Sequence, residues 1–227
     1  MKNLRNLLFS LICLLTSIVN ANSENVRIGF EGGILWADIR AEETAQALAN
    51  LSGSTVTYTY DEATWVGRVF ADYELSTETA LEVGFFVTGS LDATYTISGA
   101  SATEGYDATG VDVAAVFKSD GLYFKAGMHR SELNGAASLN IGGTTYNISE
   151  TISGNGFLVG GGIEIDDSRI GYTYYSDVGG DSDSDMSMIT YGIFFWSNYE
   201  YKINELRFIK PRVLNQNIVF SWLLTIF

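Results

Sequence analysis

From residue 79 to 95 the chain alternates. Leu81, Val83, Phe85, Val87, Gly89, Leu91, Ala93 and Tyr95 fall on one side, and Ala80, Glu82, Gly84, Phe86, Thr88, Ser90 and Asp92 on the other. A period of two sustained over that length predicts one extended strand whose faces meet different surroundings. A tilted strand crosses a bilayer in about 9–11 residues, so this one predicts a crossing with residues to spare. On a soluble sheet so long an apolar face needs a second layer; lipid is the alternative cover.

The same pattern recurs along the chain. Residues 25–38 place Val26, Ile28, Phe30, Gly32, Ile34 and Trp36 opposite Arg27, Gly29, Glu31 and Gly33. Residues 63–75 place Trp65, Gly67, Val69, Ala71, Tyr73 and Leu75 opposite Val66, Arg68, Phe70, Asp72 and Glu74. Further strands are predicted at 109–118, 122–129, 156–165, 169–175 and 186–196, which makes eight. Tight turns are expected at 76–78, at Ser119-Asp120-Gly121 and at Asp166-Asp167-Ser168. The segments 39–62, 96–108, 130–155 and 176–185 read as long connections; 39–62 has room for strand extensions, and 137–149 for a hairpin about Gly142-Gly143. Long and short connections therefore alternate, and a soluble sandwich has no need of that. An antiparallel membrane barrel does, with turns on one side of the bilayer and loops on the other. The expected fold is all-β: an eight-stranded antiparallel up-and-down transmembrane β-barrel.

Composition narrows the compartment. Residues 1–21 have the form of a secretory signal peptide, with Lys2 and Arg5 ahead of a short apolar run, the alternative being an uncleaved anchor. Cys13, the single cysteine, lies inside that segment. The mature chain is thus expected to lack disulfides, thiolate metal sites and a cysteine nucleophile. Of 13 bases and 27 acids, Lys2, Arg5, Lys202, Arg207, Lys210, Arg212, Glu200 and Glu205 fall outside 22–196; that body keeps 7 bases and 25 acids, net −18. So acidic a body disfavours nucleic acid. The single proline, Pro211, lies beyond residue 196, which suits a closed sheet in which each backbone donor must be paired. The expected organisation is signal peptide 1–21, barrel domain 22–196 and a short tail 197–227 without strand alternation.

Several stretches carry a resemblance: Val26-Arg27-Ile28-Gly29-Phe30, Leu122-Tyr123-Phe124-Lys125-Ala126-Gly127, 156–165, 169–175 and the aromatic-ended 189–195. With these, residues 26–196 resemble the small eight-stranded outer-membrane barrels of the OmpA-like and opacity-type porin superfamily. The resemblance implies a monomer in the outer membrane of a Gram-negative envelope, in contact with lipid and lipopolysaccharide and inserted by the barrel assembly machinery. It implies a structural or surface-interaction role through the outer loops. A narrow, low-conductance porin for small solutes is the alternative, and an outer-membrane lipid A hydrolase a weaker third. No cofactor is implied. The tail is a departure, because Ile189, Tyr191, Ile193 and Phe195 match a last strand but the chain continues.

Parity places Arg27, Glu31, Arg68, Asp72, Glu82, Asp112, Lys125, Glu164 and Arg169 on the inward face. An eight-stranded barrel has a lumen that side chains fill, and buried charges must pair. These nine are therefore expected to form a lumen charge network, read either as a plug or as the lining of a narrow pore. Trp36, Trp65, Tyr73, Tyr95 and Phe195 are expected at the membrane interfaces. His129 and Ser131 could act as base and nucleophile if an acid oriented the histidine, but His129 shares the inward parity of Lys125, whereas attack on lipid needs the outer face. The acidic run Asp181-Ser182-Asp183-Ser184-Asp185 has oxygen ligands for Ca²⁺ but lacks the glycine and terminal glutamate of an EF-hand loop, and reads first as a solvated loop. No metal site is expected.

Overall fold

The computed structural model describes residues 25–196. The expected signal peptide, 1–21, and the expected tail, 197–227, lie outside the described residues. The strands are β1 (Val26–Ala37), β2 (Thr57–Tyr60), β3 (Thr64–Glu74), β4 (Thr79–Thr88), β5 (Leu91–Ile97), β6 (Ala100–Ser119), β7 (Leu122–Ile141), β8 (Thr144–Ile165), β9 (Ser168–Tyr175) and β10 (Met186–Trp196). One α-helix, α1 (Ala41–Ser52), precedes β2. Eight of the strands pair antiparallel in the ring β1-β3-β4-β6-β7-β8-β9-β10, and β10 pairs back onto β1. The expected eight-stranded up-and-down barrel is thus present. Closure leaves no edge in the ring, as a sheet in lipid requires.

Tight turns set the registers at one end. Asp120 and Gly121 both have positive φ (50° and 80°) between β6 and β7, as do Gly142 (57°) and Gly143 (85°) between β7 and β8 at the other end. Positive φ at both central positions matches the right-handed twist of a hairpin. The first of these lies with the β3–β4 and β8–β9 turns and both ends of the described chain. The opposite, outer end carries everything long.

Outward positions form an apolar belt of exposed side chains, among them Phe30, Ile34, Val113, Phe117, Phe124, Met128, Phe157, Ile163, Ile170, Ile189 and Ile193. A continuous exterior of this kind is solvated by lipid rather than water. With short turns at one end and long connections at the other it is that of an outer-membrane barrel. Trp36 and Trp65 are exposed on the same outer face, as is Phe195, whose ring meets Phe30 edge-on at 5.6 Å; Tyr73 is half-buried on that face.

Two expectations need correction. Residues 79–95 are not one strand of unbroken alternation. Val87 pairs with Thr109 but Leu91 pairs with Tyr106, so Thr88, Gly89 and Ser90 stand opposite only Asp107 and Ala108. That extra residue is a β-bulge, and it exchanges the faces. Beyond it Leu91, Ala93 and Tyr95 turn inward, at 3%, 1% and 1% exposure, while Asp92 points out. Tyr95 is therefore not an interface aromatic.

The segments 96–108 and 130–155 are likewise not loops. They are the outer halves of β6, β7 and β8, whose 20, 20 and 22 residues exceed the roughly 9–11 needed for a crossing. With β5 and β2 they build a sheet that stands beyond the barrel, and its hairpin about Gly142-Gly143 is the one foreseen. Segment 39–62 contains α1 as well as a strand. Ala, Glu, Gln and Leu favour helix there, and Gly53 caps its end with φ 63° and an N–H bond to the Ala49 carbonyl. Ala41 and Ala45, four apart on one face, lie against Ala93 and Tyr95. The Tyr95 hydroxyl donates to Glu104, and burial followed by that hydrogen bond raises its pKa above the ordinary range.

Candidate functional site: the filled lumen and the outer mouth

The inward face begins with charge. Arg68 on β3 sends Nε and Nη2 to the two oxygens of Asp112 (2.9 and 2.5 Å), Nη1 to Glu31 (3.1 Å) and Nη2 also to Glu82 (2.7 Å). Arg169 on β9 donates to Glu31 and, at 2.6 Å, to Glu82. The Lys125 ammonium lies 3.4 Å from Glu82. These three bases and three acids are each 4% exposed or less, so charge balances among buried groups. A second tier nearer the turn end joins Arg27 to Asp72 (2.9 Å), Glu164 (2.5 Å) and Glu74 (3.2 Å), with Lys118 3.5–3.8 Å from the same three acids.

All nine charged residues expected to meet in the lumen lie in these two tiers. Lys118 and Glu74 also belong, and inward parity on their own strands was the signal for both. Aromatic rings support the guanidinium groups: Arg169 lies 3.8 Å above the Phe70 ring and Arg27 4.0 Å above Phe194, a contact favourable to cations once desolvated.

Glycine makes the crossings possible. Arg68 must pass over β4 to reach Asp112 on β6, and the residue it passes is Gly84; a Cβ there would sit 2.3 Å from Nη2. At Gly171 a Cβ would meet the Tyr123 hydroxyl at 1.8 Å. The run Gly160-Gly161-Gly162 likewise serves close packing, with Gly162 backed by the Ile170 carbonyl.

Outward of the charges lies an apolar layer. Leu35, Val66, Phe86, Leu158, Tyr175 and Met188 are each 3% exposed or less and belong to one cluster. Leu35, Val66, Phe86, Leu158 and Tyr175 each stand nearer the outer end than the charged residue of their own strand. Phe86 and Tyr175 meet at 5.0 Å, and the Tyr175 hydroxyl reaches back to donate to Asp112 at 3.0 Å.

His129 and Ser131 sit in this wall, both buried. His129 Nε2 is 2.7 Å from the Ser176 carbonyl, and Ser131 Oγ accepts the Gly179 N–H at 2.8 Å. The histidine thus contacts a backbone carbonyl rather than the serine hydroxyl, and both side chains face away from lipid. Their hydrogen bonds tie segment 176–180 to the barrel wall.

Above the apolar layer is a cavity of about 260 Å³. Leu35, Leu91, Ala108, Leu133, Val178 and Met186 form its apolar part, and Asp38, Arg40, Asp107, Asp181, Asp183 and Asp185 its polar rim. Arg40 adopts the left-handed conformation (φ 52°). Its N–H donates to Asp38 at 2.9 Å and its guanidinium meets Asp183 at 3.1 Å, which raises its pKa further. The acids of 181–185 are engaged by the protein itself. Asp181 accepts from Ser184 Oγ and the Asp183 N–H, and Asp185 from the Tyr174 hydroxyl and the Asp177 N–H. Among the described residues no three metal-ligating side chains gather at one point.

No family model matches the chain, and no curated protein matches it. The expected likeness to small eight-stranded outer-membrane barrels is found among solved structures. Ail, the attachment invasion locus protein of Yersinia pestis, solved in complex with the heparin analogue sucrose octasulfate, is 12% identical with a TM-score of 0.47, over 75% of this chain and 99% of that one. Neisserial surface protein A is 14% identical with a TM-score of 0.39, over 76% and 97%. The N-terminal β-barrel domain of Pseudomonas aeruginosa OprF is 11% identical with a TM-score of 0.37, over 77% and 100%. The likeness is one of fold.

Proposed function

We propose that this protein is a non-conducting outer-membrane barrel with a structural and surface-interaction role, carried by the parts of β5–β8, α1 and the mouth that stand outside the bilayer. The observation that supports this reading is the filled cross-section. A charge-balanced tier of Arg68, Arg169, Lys125, Glu31, Glu82 and Asp112 is followed outward by an apolar layer of buried side chains. An ion would have to break buried pairs and then cross an apolar layer, each step costing several kcal/mol. The barrel then acts as a rigid monomeric mount inserted by the assembly machinery. Its belt contacts lipid, and its outer acids approach lipopolysaccharide phosphates through bridging divalent ions.

The test is planar-bilayer recording of the refolded full chain, after a gel-mobility shift on boiling shows the barrel is folded. Silence at physiological salt is expected. Steady, reproducible openings would assign the lumen charges to a narrow solute pore instead.

A further inference from the structure

We infer that the cavity at the outer mouth is a binding site for a small organic cation with an apolar body, such as an aromatic or aliphatic amine. Three features carry this, and none depends on whether the lumen below conducts. The first is shape. The cavity of about 260 Å³ lies just under the range of about 300–1,000 Å³ usual for small-molecule sites, and its floor is closed by Leu35, Leu91, Ala108 and Met186. An apolar floor held open by rigid strands rewards an apolar group that displaces its water.

The second is charge. The rim carries Asp38, Asp107, Asp181, Asp183 and Asp185 against one base, Arg40, so a cation gains an attraction there that a neutral ligand of the same shape lacks and that an anionic one meets as repulsion. The third is the pairing already made. The chain holds Arg40 in a backbone conformation that L side chains seldom adopt, and its guanidinium rests on Asp183. That contact shows how a cation is received at the rim. Both side chains are about half exposed (45% and 59%), and an exposed pair of this kind is weak, so an incoming ligand can compete with it.

The experiment uses the refolded full chain in detergent micelles, labelled with ¹³C at the methionine methyl groups. Met186 lies in the cavity floor, while Met128 is exposed on the lipid face and reports partition into the micelle. The probes are benzylamine, benzyl alcohol and benzoate. Benzylamine should shift the Met186 methyl saturably and leave Met128 in place; benzyl alcohol should bind about threefold more weakly, the loss of one exposed ionic contact, and benzoate not at all. Arg40→Gln should tighten benzylamine severalfold by removing the competing cation. Ala108→Phe, which fills the floor, should abolish the shift; should that variant fail the boiling test, Leu133→Trp serves the same purpose from the wall.

A Met186 response equal for benzylamine and benzoate would overturn the inference. So would one that merely tracks Met128, or one that survives filling of the cavity. Conductance measured on the same preparation keeps the two readings apart: openings would remove the seal and leave the site standing.

Discussion

Arg68 on β3 and Asp112 on β6 form a two-pronged ion pair, 2.9 Å at Nε and 2.5 Å at Nη2, across the whole width of the intervening strand β4. The bridge passes over Gly84, which pairs with Asp112 and has no side chain to obstruct it. Gly84→Ala should therefore push the guanidinium off its acids and cost about 3–5 kcal/mol, the range for a broken buried pair. Gly32→Ala is the control, because nothing lies within 4 Å of a Cβ there, and it should change stability by under about 0.5 kcal/mol. Urea unfolding in lipid vesicles compares the two.

The same pair can be deleted in two ways. Arg68→Met alone leaves Glu31 and Glu82 with Arg169 and Lys125 but strands the buried Asp112 without its cation, and should destabilise by about 3–5 kcal/mol. Adding Asp112→Leu removes the stranded acid and should recover at least about 1 kcal/mol of that loss, as residues of one network are not additive. Equal stability of the single and double variants would show that the network is not coupled as drawn.

The bulge at Gly89 decides which way Tyr95 points. Deleting Gly89 leaves only Thr88 and Ser90 opposite Ala108 and Asp107, so plain alternation from the outward Val87 still brings Leu91, Ala93 and Tyr95 inward, and the surface on which Ala41 and Ala45 rest is kept. The barrel should survive, with its boiling shift retained. Limited proteolysis of folded protein should cut segment 38–63 no faster than in the parent; faster cutting would mean that the register beyond residue 90 had slipped by one. Ala45→Glu, which buries a charge under α1, should by contrast speed cleavage of that segment without touching the strand.

Depth along the strands predicts where charge is tolerated. Val113, 48% exposed on the lipid face of β6 and well in from the Asp120-Gly121 turn, should lose about 2–4 kcal/mol on replacement by Arg, the cost near the bilayer midplane. Ser101 is exposed on the outer half of β6, and Ser101→Lys should fall within about 0.5 kcal/mol of the parent. A large penalty at Ser101 would mean that this part of β6 lies in lipid. Vesicle refolding of the two variants measures the difference.

The barrel was legible from residues because its signal repeats. Each of eight segments alternates, and their connections alternate in length. The lumen charges were legible for the same reason: once the outward face of β1 is Phe30 and Ile34, Arg27 and Glu31 can only point inward. The outer half was not legible from pattern. Ser, Thr, Gly and Ala in 96–108 and 130–155 look like loop because much of these strands meets water on both sides, and the polar-apolar contrast that marks a strand fades there. Helix α1 was hidden for a related reason, since its buried face is only Ala41 and Ala45, two small residues within a polar segment.

Sequence alone thus determined the closed all-β barrel, its lipid-facing belt and the set of charges inside it, because alternation is a local property that every residue pair reports. Tertiary structure alone decided where alternation changes hands and who meets whom. The bulge at Gly89 depends on how β4 and β5 pair with β6, the Arg68–Asp112 bridge depends on two strands separated by a third, and the outer cavity exists only where β1, β5–β8 and segment 176–185 converge. Register and convergence are set by contacts between residues far apart in the chain, and no stretch read by itself contains them.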